Sequence, residues 1–132
     1  MTTLVDTSAF VAALSERDPR HDEALRWFET MATTHEDLFT HNYITVESTA
    51  VIHNRLGAGT ARIFLENLLP VCEIRFVDRE LHERATVAYL AGIRRGSSFV
   101  DSVSFELMRT ERIRRAFAFD PDFSREGFET VP

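Results

Sequence analysis

The sequence predicts an α/β fold, a mostly parallel central sheet flanked by helices, built as a single domain over residues 1–132. Three observations predict it. Short apolar runs alternate with helical periodicities along the whole chain. No linker, repeat or low-complexity tract interrupts that alternation. Two of the apolar runs, in LVDTSAF (Leu4 to Phe10) and AFAFDPDF (Ala116 to Phe123), stop on an aspartate. Open parallel sheets bind ligands outside the carboxyl ends of their strands, so both acids stand where a site would form.

The elements follow in order. Thr3 to Asp6 is expected as a short buried strand, followed directly by a helix over Ser8 to Leu14, with a turn at Asp18-Pro19. A helix over Asp22 to Ala32 places Leu25, Phe28 and Ala32 on one face. Leu38 to His41 is a second strand, and a helix from Tyr43 to Leu56 is stopped by Gly57. A helix over Thr60 to Leu69 carries Ala61, Leu65 and Leu68 inward, with Pro70 beyond its end. Glu73 to Val77 alternates as a strand should. A helix over Glu80 to Ile93 carries Leu81, Ala85 and Ala88, another spans Phe99 to Glu111, and Arg115 to Phe119 is the last strand.

Composition narrows the function classes. No apolar stretch approaches the roughly 20 residues a membrane helix needs. The first residues lack the charged and apolar regions of a signal peptide, so a cytoplasmic protein with no membrane partner is expected. Cys72 is the single cysteine, which excludes an internal disulfide and a cysteine-based zinc cluster. The five histidines, His21, His35, His41, His53 and His82, show no metal-ligand spacing. The net charge of −6 argues against a nucleic-acid partner, but its distribution does not. All 15 basic residues are arginines, and residues 94–115 carry six of them against three acids. That segment is +3 and the remainder −9, so Arg94, Arg95, Arg109 and Arg112 are candidates for contact with a phosphate backbone.

Four acids stand out, each with an ordinary alternative role. Asp6 suits a helix cap, and Asp120 before Pro121 suits a turn. Ser98-x-x-Asp101 has the form of a capping box. Glu47 shares a helical face with Ile44 and Val51, an uncommon place for a glutamate unless it is paired, bound to a cation or at the stripe's edge. If Asp6, Glu47, Asp101 and Asp120 converge, two carboxylates about 4 Å apart repel by roughly 4 kcal/mol at an effective dielectric near 20. Such a cluster needs protons or a cation. Oxygen-only donors favour Mg²⁺ or Mn²⁺ over zinc, and the chemistry suited to that site is phosphoryl chemistry.

Four ordered stretches, VDTSAF, VES (Val46 to Ser48), SFVDSVSFELMR (Ser98 to Arg109) and AFAFDPDF, resemble the PIN-domain family over essentially the whole chain. The likeness is to the VapC-like ribonuclease toxins of prokaryotic type II toxin–antitoxin pairs. The resemblance implies a parallel sheet between helices and metal-dependent endonucleolytic cleavage of RNA. It implies Asp6, Asp101, Glu47 and Asp120 as catalytic and metal-binding acids, with Ser8 supporting the first aspartate and Asp122 assisting through water. It implies Mg²⁺ with Mn²⁺ as a substitute, a homodimer, and a cognate antitoxin for which the apolar helices between Tyr43 and Leu69 offer a docking surface. The chain departs from the family at Ala118, where many members carry Thr or Ser.

Two rivals remain at this level. An aspartate-based phosphatase or phosphotransfer domain would need a phosphoryl-stabilising lysine, and the chain has none. A catalytically inactive PIN-like RNA- or protein-binding module would have no need of all four acids.

Overall fold

The computed structural model describes residues 1–132. Its five strands are β1 (Thr2–Val5), β2 (Asp37–His41), β3 (Glu73–Arg75), β4 (Arg115–Phe117) and β5 (Glu129–Val131), in the order β3-β2-β1-β4-β5. All four pairings are parallel. The helices are α1 (Thr7–Leu14), α2 (His21–Thr34), α3 (Asn42–Leu56), α4 (Ala58–Ile63), α5 (Arg79–Ala91), α6 (Phe99–Glu111) and the short α7 (Asp122–Arg125). The connection from β3 to β4 returns across the sheet and starts a second run on the far side of β1. The strand order therefore reverses at β1–β4, the point where such sheets open a crevice.

Aromatic packing marks the two faces of the core. Phe10, Phe28 and Phe64 meet Phe117 and Trp27 on one side, with ring centroids between 4.1 and 6.1 Å apart. Phe105, Phe123 and Phe128 form the second group, at 5.0 to 6.5 Å. The central strands are buried on both faces, as their continuous apolar runs require.

Several expected details shift for physical reasons. In α2 the inward residues are Ala24 and Phe28, flanked by Trp27 and Met31, whereas Leu25 is 41% exposed and Ala32 is exposed. Trp27 offers the larger apolar body and packs on Phe117, which rotates the buried stripe away from Leu25. The helix expected over Thr60 to Leu69 begins at Ala58, widens into a π turn (Phe64–Leu68) and tightens into a 3₁₀ turn ending at Val71. Pro70 has no N–H to continue the α ladder. Phe64 takes the inward position against Phe10, leaving Leu65 42% exposed. β3 stops at Arg75 because the Val77 N–H leaves the ladder for the Asn42 side-chain oxygen, at 2.7 Å. Phe76 is then 78% exposed. β4 stops at Phe117, and the Phe119 N–H turns to the Ser8 hydroxyl at 3.0 Å. Ala88 is half-buried, and α5 ends at Ala91 with Gly92 beyond it. The short α7 and β5 have no counterpart among the sequence-derived elements.

Phe117 joins β4 to the first aromatic group, so Phe117→Ala should lower stability by about 3–5 kcal/mol. Urea unfolding should show a reduced midpoint at an unchanged slope.

Candidate functional site

Each acid reaches the crevice on a different element. β1 is buried from Thr3 through Val5, and the chain then leaves the sheet at Asp6, whose carboxylate accepts the Ser8 N–H and caps α1. The same Asp6 oxygen accepts the Ser8 hydroxyl at 2.7 Å. Because Ser8 Oγ in turn accepts the Phe119 N–H, it joins Asp6 to the loop that carries Asp120. Asp101 sits at the third position of α6 in a reciprocal capping box: the Asp101 N–H donates to Ser98 Oγ, and the Ser98 N–H donates to Asp101 Oδ2. Capping and facing the crevice are therefore done by the same side chains.

Glu47, half-buried on α3, accepts a 2.6 Å hydrogen bond from Thr7 Oγ1. Thr7 in turn accepts from the buried Ser48 hydroxyl at 3.0 Å. This Ser48–Thr7–Glu47 relay fastens α3 to α1, and its Thr7 and Ser48 members were not identified from sequence. The only hint was hydroxyl residues beside two acids, in "DTS" and "VES". Asp120 Oδ1 accepts the Asp122 N–H at 2.9 Å, and Asp122 Oδ2 accepts the Ser97 hydroxyl at 3.1 Å.

The result is an open cleft of about 480 Å³ lined by Asp6, Ser8, Glu47, Asp101, Asp120 and Asp122. Within it, ligand oxygens of Asp101, Asp120 and Asp122 lie within 4.8 Å of one another. Asp122, a supporting residue in the sequence reading, thus stands in the tightest group of donors, while Asp6 and Glu47 form the adjoining wall. Arginines reach the cleft from unexpected places. Arg20, from the loop before α2, and Arg55, from the last turn of α3, line it. Arg94, Arg95, Arg109 and Arg112 do not. Arg94 and Arg95 occupy an exposed 3₁₀ turn before Gly96, Arg109 is paired with Glu126 at 2.7 Å, and Arg112 follows the far end of α6. A run of arginines along one segment spreads around a helix and along its length, so the sequence cluster does not become a cluster at the cleft.

The electrostatics fit a cation. Burial pushes the Asp6 carboxyl up to about 7, against the lowering effect of Ser8, and nearby Asp101 and Glu47 add to the rise. Burial likewise raises Asp101 to about 6, with Asp120 and Glu47 contributing repulsion. Oxygen donors alone, with two acids driven toward protonation by burial and neighbouring carboxylates, suit a hard divalent ion. Asp101, Asp120 and Asp122 are placed to hold it, with Asp6 and Glu47 at its side. Other groups are excluded. His41 Nδ1 accepts the Ile44 N–H and Nε2 donates to Ser104 Oγ, so both ring nitrogens are used, and burial lowers its pKa to about 3. Burial pushes the Cys72 thiol up to about 12, leaving it an inert core group. Ala118 is buried at the end of β4, and the Phe119 N–H beside it is served by Ser8.

Two outcomes follow from these contacts. Folding raises the affinity of Asp6 and Asp101 for protons, so the metal-free fold is favoured below about pH 4 and loses stability as pH rises through 6 to 7. The loss for Asp6 alone is roughly 4 kcal/mol. Thermal melts in EDTA should show that decline, and the stabilisation by added Mg²⁺ or Mn²⁺ should be larger at pH 8 than at pH 5. Thr7→Val would orphan the buried Ser48 hydroxyl and release Glu47, at a cost of about 1–3 kcal/mol measured by urea unfolding.

Comparison with known proteins gives this site its relatives. The PIN domain family model matches residues 3–129. The 23S rRNA-specific endonuclease VapC20 of Mycobacterium tuberculosis, in two strains, is 34% identical over 129 residues, which cover 96% of this chain and 95% of that protein. The crystal structure of M. tuberculosis VapC20, described as a sarcin-ricin loop cleaving toxin, superposes with a TM-score of 0.85 at 31% identity, covering 97% of this chain and 96% of that one. FitAcB from Neisseria gonorrhoeae (TM-score 0.70, covering 100% of this chain and 97% of that one) shares the fold at 12% identity. So does VapBC2 from Rickettsia felis bound to a promoter DNA fragment (TM-score 0.73, 100% and 98% covered), also at 12% identity. With four acids from separate elements brought to one cleft and a family match over nearly its whole length, the chain belongs to the PIN domain family, on the VapC side of it.

Proposed function

We propose that the whole chain, residues 1–132, acts as one metal-dependent endoribonuclease domain, the toxin of a toxin–antitoxin pair, and cuts RNA at the acidic cleft. The observation that carries this reading is the convergence of Asp6, Glu47, Asp101, Asp120 and Asp122 on one open cleft, in a chain 34% identical to a 23S rRNA-specific endonuclease. A loop of large ribosomal RNA is the substrate that relationship supports, and a cytoplasmic location goes with that reading. Mg²⁺ is the proposed cofactor, with Mn²⁺ as substitute, because every donor is a carboxylate oxygen.

Bound at Asp101, Asp120 and Asp122, such an ion supplies Lewis acidity toward the scissile phosphate and the attacking water. The chain supplies the placement. Ser8 fixes Asp6 against the Asp120 loop, the Ser98 box fixes the Asp101 rotamer, and Thr7 fixes Glu47. These bonds leave the carboxylates no rotamer search when substrate arrives. Because burial raises Asp6 and Asp101, a cation held beside them would favour their ionised forms, and its binding would strengthen as pH rises.

The partners in this reading are an antitoxin and a second copy of the chain. The antitoxin docks on α3 and α4, where Val46 and Ile63 are exposed. The dimer is the state the VapC-like resemblance implies.

Purified protein should cut ribosomal RNA with Mg²⁺ or Mn²⁺ and not in EDTA, and Asp101→Asn should lower the rate by about 100-fold or more. Equal cleavage by Asp101→Asn would remove the assignment. If antitoxin-free protein gave no cleavage with either metal, the non-catalytic binding module would become the better reading.

A further inference from the structure

Arg55 is the cleft arginine with no use inside the fold. It lies in the last turn of α3, is exposed, and enters no ion pair or side-chain hydrogen bond. Arg20, the other arginine of the cleft, is engaged: its guanidinium pairs with Glu23 at 3.1 Å and lies 5.5 Å from the centre of the Phe119 ring. Arg55 also has a defined spacing from the acids. Glu47, Val51 and Arg55 occur at successive intervals of four residues on α3, and all three line the cleft. Eight residues of α-helix span about 12 Å. The cleft therefore runs from the carboxylates past an apolar stretch, Val51 on α3 and Val11 on α1, to one unpaired cation.

We propose that Arg55 binds a backbone phosphate of the RNA flanking the scissile one, and that Val11 and Val51 carry the intervening nucleotide. The inference rests on the nuclease reading and extends it to how the strand is held. An anionic strand needs a positive contact in a cleft lined by six carboxylates, and a cation at the end of this helical track supplies it without entering the ion site. Because the contacted atom is a phosphate, Arg55 contributes affinity and register, and base identity is read elsewhere.

The test compares Arg55→Gln with Arg62→Gln, an equal charge change at an arginine that pairs with Glu66 on α4 away from the cleft. Binding of a fluorescein-labelled single-stranded RNA of mixed sequence is measured in EDTA over a range of salt. Arg55→Gln should weaken binding about fivefold and reduce the salt slope by about 0.7, the release expected for one phosphate contact on a single strand. Arg62→Gln should change neither, and Arg55→Lys should retain the slope. In cleavage assays with Mg²⁺, Arg55→Gln should raise KM while leaving kcat within about twofold. Intact cleavage with KM and salt slope equal in Arg55→Gln and Arg62→Gln overturns this inference alone. Absence of metal-dependent cleavage by the unsubstituted protein overturns the nuclease reading and this inference with it.

Discussion

Burial of like charges at the end of β1 and the start of α6 is the constraint on which the other features of this fold depend. Asp6 is 4% exposed and Asp101 7%; Asp101 and Glu47 raise the proton affinity of Asp6, and Asp120 and Glu47 raise that of Asp101. A carboxylate that has lost its water must find hydrogen bonds, protons or a cation. The surrounding chain supplies the first of these at every acid: the Ser8 hydroxyl for Asp6, the Ser98 N–H for Asp101, the Thr7 hydroxyl for Glu47, the Asp122 N–H for Asp120 and the Ser97 hydroxyl for Asp122. Those bonds lower the charged form's cost without cancelling it. What remains is an unmet demand for positive charge at one end of the sheet.

That demand explains the abundance of small hydroxyl residues beside the acids. The hydroxyls of Ser8 and Thr7 each satisfy a carboxylate and tie two elements together. Ser8 links α1 to the loop after β4, and the Ser48–Thr7–Glu47 relay links α1 to α3. The site is thereby part of the fold's internal bracing. The aromatic groups on the two faces of the sheet hold the scaffold, and the hydroxyl bonds set the acids on it to within the tolerance that phosphoryl chemistry requires. Loss of a hydroxyl therefore acts on stability and on geometry together.

Charge is distributed to match. The protein is acidic overall, at −6, and its cleft is lined by six carboxylates against two arginines. The arginines that reach the cleft come from a loop and a helix end, set back from the donors. The arginines of residues 94–115 are instead held partly in structural pairs, Arg109 with Glu126 and Arg115 with Glu36.

Local pattern in the sequence was enough for the α/β alternation and the parallel sheet, because each has a local signature, and it singled out four acids that the fold brings to one cleft. Apolar runs of strand length, helical periodicity and a carboxylate ending an apolar run are visible without neighbours. The capping box at Ser98 and Asp101 was legible for the same reason. Tertiary structure alone decided the rest. Which face of α2 is buried was settled by Trp27 meeting Phe117, residues 90 positions apart in the chain. Where β3 and β4 end was settled by Asn42 and Ser8 accepting backbone N–H groups from distant loops. Asp122's place beside Asp101 and Asp120, and the choice of Arg20 and Arg55 over the arginine-rich segment, depend on how helices approach one another across the sheet. Local pattern records what a residue is built to do in its own element, and only the packing of elements decides which residues share a cleft.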